Sequence, residues 1–191
     1  MAVFTQKPTI NSSRPPYAAE AAVVPAATSN VVAKDYSSAG RQTRIQLTNA
    51  TITTTYTGSA NSSGSIKLLT LPTGGIFLKG GSCRVTYTTS GTPTPGGTTV
   101  FAVGTAAAAA DATLSSTEAN VVASTGSTMT SAAGTLNGVT ATSVTGVNGQ
   151  SSPVELFLNF ATSGDMGAAR TITLNGWIVV NWEHTGDNSL S

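Results

Sequence analysis

Charge is scarce in this chain. Nine Lys and Arg and eight Asp and Glu make up 9% of 191 residues, against about 25% in an ordinary soluble domain. The surface must therefore be covered by Thr, Ser, Asn and Gly. One cysteine, Cys83, excludes an internal disulfide, and one histidine, His184, excludes a Cys/His metal cage with the usual ligand number. Aromatic residues are 6%. No uninterrupted apolar run reaches the roughly 18 residues that a membrane-spanning helix needs. The opening MAVFTQKPTINSSRPPY lacks the apolar stretch of a secretory signal. The expectation is a protein made in the cytoplasm, with no membrane partner.

The few charges are unevenly placed. Residues 1–84 hold eight cations and two carboxylates, whereas residues 85–191 hold Arg170 against six carboxylates. One reading is that first-half strands lie beside second-half strands, so that the charges offset within one domain. The other is that a basic N-terminal segment seeks an acidic partner surface. Nucleic acid fits less well, because the cations are widely spaced and not interleaved with aromatics.

Residues 1–40 are rich in Ala, Ser, Pro and Val, and Pro15, Pro16 and Pro25 interrupt both helix and central strand. They read as an extended arm that becomes ordered against a partner, the alternative being a disordered tail. Its candidate contacts are Lys7, Arg14, Tyr17 and the apolar pairs Val23-Val24 and Val31-Val32. From Arg41 onward, residues 41–191, the pattern is that of strands. Ile45 and Leu47, then Ile52 and Thr54, alternate with polar residues. Gly58 to Gly64 reads as a turn cluster, followed by a strand through Ile66 to Leu71 and separate runs over 76–79 and 84–89. Gly91 to Gly97 reads as a loop and Val100 to Val103 as a strand. The Ala106–Ala110 run has helical propensity, and Ser115 with Glu118 has capping-box spacing; the alternative is a loop whose alanines let backbones approach. Residues 124–152 read as a long exposed loop or hairpin. Leu156, Leu158 and Phe160 share one strand face, and Trp177 to Trp182 is apolar on nearly both faces. Many short strands between Gly and Pro turns predict an all-β chain: an antiparallel β-sandwich, jelly-roll-like, with an extended N-terminal arm.

Catalytic chemistry needs titratable groups gathered at a concave site, and little is here to gather. His184 with Asp187 and a serine makes a weak triad. Glu155 with Glu183 satisfies the residue types of a glycosidase pair without fixing their separation. Gly75 to Gly81 fails the phosphate-loop pattern, and the acidic residues lack calcium-loop spacing. Cys83 suits a small apolar role. Trp177 and Trp182 fall on opposite strand faces, which disfavours a shared sugar platform. No cofactor, no metal site and no enzymatic activity are expected.

Three stretches carry a resemblance. FAVGTAAAAADATLSSTEANVVAST, residues 101–125, VELFLNFATSGDMGAARTITLNGWIVVNWEHTGDN, residues 154–188, and SGSIKLLTLPTGGIFLKGGSCRVTYT, residues 63–88, resemble segments of head structural proteins of tailed bacteriophages, the capsid decoration or cement group. The resemblance implies a β-sandwich or jelly-roll domain at the capsid surface of a virion, bound to the major capsid protein and self-associated as a dimer or trimer. It carries over no catalytic residue. The competing expectation is a tail- or fibre-located module that recognises a cell-surface glycan.

Overall fold

The structure, a computed structural model, describes residues 24–25, 30–37, 41–55, 61–72, 74–90, 98–109, 113–128, 133–138, 145–148, 153–164 and 166–186. Alternating β-branched and polar residues form eleven strands among them: β1 Val24–Pro25, β2 Val31–Ser37, β3 Arg41–Thr53, β4 Ser62–Thr70, β5 Gly75–Thr89, β6 Thr98–Gly104, β7 Val122–Thr128, β8 Ala133–Gly138, β9 Thr145–Asn148, β10 Glu155–Thr162 and β11 Thr171–Gly186. One short 3-10 helix spans Ser116–Glu118. The strands form two antiparallel sheets, β1-β4-β10-β6-β7 and β2-β3-β11-β5-β8, with β9 also pairing β5. These are the layers of a β-sandwich.

The interior holds the inward-facing residues of both sheets. Leu156, Leu158 and Phe160 come from the first sheet, and Ile45, Leu78, Ile178, Val180 and Trp182 from the second; all are buried. Tyr87 of the second sheet stacks on Phe101 of the first at 5.5 Å, and Phe101 meets Phe160 edge-on at 5.1 Å. This chain of rings joins the layers, each pair adding about 1 kcal/mol beyond its buried area. The indole N–H of Trp182 donates to Thr43 Oγ1 at 2.8 Å, so the largest core side chain buries no unsatisfied polar atom.

Long strands hold one apolar phase only with help. In β3 the inward residues are Ile45 and Leu47, then Ala50 and Ile52, a switch from odd to even positions. The switch occurs where Leu174 opposes Ala50 but Gly176 opposes Leu47, which leaves Thr48 and Asn49 facing the single Asn175. That is a β-bulge, and Asn49 takes φ 51° to make it. Asn175 accepts from the Asn49 N–H at 2.8 Å and donates to its side chain at 3.2 Å. A second bulge at Lys79 and Gly80 shifts β5 against β11, with Gly80 at φ 90°. The expected runs 76–79 and 84–89 are therefore one strand, bent at the glycines where the sequence suggested a break. A third bulge in β4 admits Leu68 beside Leu69, both buried.

Other expectations need correction. Gly64 lies inside β4, where a Cβ would stand 2.6 Å from Ile52 Cγ2; the end of the turn cluster is a strand pressed against β3. Residues 122–128, 133–138 and 145–148, within or bordering the expected loop, are strands β7, β8 and β9. In the N-terminal segment, β2 pairs with β3 from Val31 opposite Leu47 to Ser37 opposite Arg41, and β1 pairs with the end of β4. This stretch of the expected arm is part of the two sheets, since Val31 and the edge of β3 are complete only when it is added.

Two outcomes follow from this geometry. At Gly176, φ is 139° and a Cβ would lie 2.2 Å from the Arg84 carbonyl oxygen. Gly176→Ala is expected to lower the unfolding free energy by more than about 2 kcal/mol in denaturant titration. A loss below about 0.5 kcal/mol, the scale of a neutral surface change, would contradict the close approach. Removing residues 2–40 takes away β1 and β2 and empties the Val31 position, so it is expected to cost about 2–4 kcal/mol in the same measurement.

Candidate functional site

The two outer faces of the sandwich differ. After β6 the chain makes an excursion that ends at Val121, and its described residues, 105–109 and 113–121, lie over the outer face of the first sheet. It starts where Gly104 permits contact closer than any side chain would allow, a Cβ there meeting the Thr117 carbonyl oxygen at 2.2 Å. The N–H groups of Thr105 and Ala106 both donate to that carbonyl, at 2.7 and 3.1 Å. Leu114 is buried against Ala102 and Ala161, with Val100, Ala108 and Ala119 beside them. The described alanines, Ala106–Ala109, are not helical. Their backbone groups are engaged elsewhere: Ala108 N–H donates to Ser65 Oγ at 2.8 Å and to Asn159 Oδ1 at 3.0 Å, and Ala109 N–H donates to the Glu118 carboxylate at 2.7 Å. The close-packed loop is thus the alternative that holds, and Glu118 also accepts from Ser115 N–H at 3.1 Å in the expected capping box.

Asn159 centres this arrangement. It is fully buried on β10, its Nδ2 donates to the carbonyls of Ala106 and Glu118 at 2.9 and 2.8 Å, and its Oδ1 also accepts from Ser65 Oγ at 2.7 Å. Strand alternation puts Asn159 on the face opposite Leu158 and Phe160, but the sequence alone assigned it no role. The available signal was an amide between two aromatics in Phe157-Leu158-Asn159-Phe160, facing a segment of small residues that can approach closely.

Among the described residues no segment lies over the outer face of the second sheet. Along β11 this face presents Thr173, Asn175, Trp177, Val179, Asn181 and Glu183, alternating with the buried residues of the core. Trp177 lies between Gln46 of β3 and Arg84 of β5, and Val179 between Arg44 and Ser82. Gln46, Arg44 and Arg84 are exposed, while Trp177 and Val179 are half-buried among them. Gln42 donates to Asn181 Oδ1 at 3.1 Å. Val32, 48% exposed, extends the row from β2 beside Gln46, and Phe77, 45% exposed, stands beside Glu183 at one end. From strand spacing and rise, Arg44 and Arg84 are about 12 Å apart. Glu183 is the face's carboxylate among the described side chains, and Lys79 holds it in an ion pair.

Of the residues expected to contact a partner, Lys7, Arg14, Tyr17 and Val23 lie outside the described residues. Val24 sits in β1 opposite Thr70. Val31 is 2% exposed and occupied by the core, which takes it out of reach of a partner, while Val32 points outward. The charge asymmetry resolves within the domain at two places, Lys67 with Glu155 and Lys79 with Glu183, each joining a first-half cation to a second-half anion. Glu155 and Glu183 occupy the outer faces of different sheets, with the whole core between them, so they cannot flank one bond as a glycosidase pair. His184 pairs through its backbone with Ile76, and Asp187 lies outside the described residues. Cys83 is half-buried and packs against the core. Trp182 is interior and Trp177 exterior, on opposite faces as their spacing requires. Among the described residues no three His, Cys, Asp or Glu side chains converge as a metal site. The chain matches no family model and no curated protein.

Replacing Asn159 strands the carbonyls of Ala106 and Glu118 and the Ser65 hydroxyl beneath the excursion, while Ala108 N–H keeps Ser65 Oγ as its acceptor. Asn159→Ala is expected to destabilise the protein by about 3 kcal/mol and to open residues 105–121 to limited proteolysis. Lys67→Ala, which breaks a half-exposed ion pair on the same face, is expected to cost less than about 1 kcal/mol.

Proposed function

We propose that this protein is a structural component of a bacteriophage particle, which binds the outer surface of the capsid and reinforces it. The observation that carries the proposal is the unequal treatment of the two faces: one is latched under the chain's own excursion, and over the other no described segment lies. From the length of β11 and the four spacings between five strands this face measures about 50 by 20 Å, enough to hold the roughly 800 Å² that one partner contributes to a standard interface. The resemblance to head proteins noted in the sequence is the other ground for this reading. Its three stretches hold β4, β5, β6, β10 and β11, which are neighbours as β4-β10-β6 in one sheet and β11-β5 in the other.

We further infer a jelly-roll winding. With β3–β8, β10 and β11 numbered one to eight along the chain, the sheets have orders 1-8-3-6 and 2-7-4-5, an alternation of the chain between layers that builds two interlocked Greek keys. In this reading the major capsid protein is the partner, a dimer or trimer matches the shell's symmetry axes, and residues preceding β1 add a second point of attachment. A tail- or fibre-located glycan-binding module is the competing reading, favoured by the half-exposed Trp177 ring beside Gln46 and Arg84.

Heads purified without this protein provide the test. The expected result is saturable binding of at least one copy per capsomer in co-sedimentation, with greater resistance of the heads to heating. Deletion of residues 2–23, which keeps β1 and β2, is expected to weaken attachment about tenfold through loss of the second contact. A few copies per particle, together with glycan binding that Trp177→Ala abolishes, would replace this reading with the receptor-binding one.

A further inference from the structure

We propose that the outer face of the second sheet, centred on Trp177 and flanked by Arg44 and Arg84, docks an acidic protein surface. The proposal deepens the binding role above and rests on it.

The chemistry of the face selects its occupant. Arg44 and Arg84 are exposed, and among the described residues neither is ion-paired, whereas Lys79 and Glu183 neutralise one another. The face therefore carries a net positive charge around a half-buried indole and Val179. Trp and Arg are the residues most enriched at the energetic centres of protein interfaces, because each joins a large apolar body to fixed donors. A guanidinium takes a carboxylate with two parallel hydrogen bonds. A partner presenting carboxylates about 12 Å apart, the spacing of two strands and two residues, around an apolar centre would meet both arginines with Trp177 between them.

Two other occupants fit less well. A second copy placed face to face about a twofold axis sets Arg44 and Arg84 against their own equivalents, with both described Glu183 carboxylates already engaged. A copy placed head to tail offers Glu118 and Glu155 from the other side, but Glu155 is paired with Lys67 and Glu118 is held by the N–H groups of Ala109 and Ser115. Nucleic acid presents a phosphate charge about every 1.7 Å of duplex and is bound through many cations in a stripe. Here two arginines stand in a field of Thr, Asn and Gln.

The experiment uses the full-length protein and a defined probe, a polyglutamate peptide, so that its failure is separable from a failure to bind phage heads. Binding is read by Trp177 fluorescence and by amide chemical-shift mapping. The expected result is salt-sensitive binding with shifts confined to β3, β5 and β11, weakened at least about tenfold in Arg44→Glu/Arg84→Glu and unchanged in Lys67→Gln on the opposite face. If the double reversal impairs folding by circular dichroism, Arg44→Gln/Arg84→Gln serves the same comparison. Equal affinity of the arginine variants, absence of binding, or shifts on the first sheet would overturn the proposal. Tighter binding of single-stranded oligothymidine than of polyglutamate at this face would also overturn it, assigning the face to nucleic acid.

Discussion

A sandwich has one interior, and a strand can serve it only while its inward residues stay in phase with those of its neighbours. β11 is sixteen residues long and lies between β3 of thirteen and β5 of fifteen, a span of about 50 Å over which twisting sheets drift out of register. The bulges at Asn49 and Gly80 restore the phase by giving each flanking strand one additional residue. Without the first bulge, either Ile45 and Leu47 or Ala50 and Ile52 would turn to solvent. Each large aliphatic side chain contributes about 1.5–3 kcal/mol on burial, so flipping Ile45 and Leu47 removes much of a net stability of about 5–15 kcal/mol. The close approach at Gly176 and the Asn49–Asn175 bonds belong to the same device.

That constraint also fixes what the outer faces can become. In phase, β10 and β11 each place an alternate row outward. The β10 row is Glu155, Phe157, Asn159 and Ala161; its far end is small, which lets the excursion settle onto Ala161 and Ala102 with Leu114 as its apolar contact. A buried amide is tolerable there only because each of its donors and acceptors has a partner, and apart from the Ser65 hydroxyl of β4 those partners are backbone groups of the very segment it holds. The β11 row is larger, with Trp177, Val179 and Asn181 flanked by the long side chains of Gln42, Arg44, Gln46 and Arg84.

Alternation made the sandwich legible from the sequence, because Leu156-Leu158-Phe160 and Ile178-Val180-Trp182 keep strict period two and turn residues separate the runs. The bulges were not legible. A phase switch such as Leu47 to Ala50 looks like the end of one strand and the start of another, and the Gly80-Gly81 pair looks like a turn, until a partner strand shows that pairing continues. The Ala106–Ala109 segment misled through propensity, a weak local preference that side-chain hydrogen bonds from Asn159, Ser65 and Glu118 override. The attachment of β2 was hidden for a different reason. Val31-Val32 reads equally well as a contact with a partner or with the chain's own sheet, and only the edge of β3 decides between them. The outer face of the second sheet was partly legible, since the odd spacing of Trp177 and Trp182 sends one of them outward, but its flanking arginines come from β3 and β5, far away in the chain.

The scarcity of charge can then be interpreted. Lys67–Glu155 ties β4 to β10, and Lys79–Glu183 ties β5 to β11, on half-exposed surfaces where such pairs add at most about 1 kcal/mol. Stability rests on the phased core and on β1 and β2 at the edges of β4 and β3, where open strand edges would otherwise invite pairing with other chains. A sandwich covered mainly by Thr, Asn and Gln needs few ions to fold. On the reading proposed above, the exposed arginines beside Trp177 serve recognition, because they give an otherwise nearly neutral face a sign.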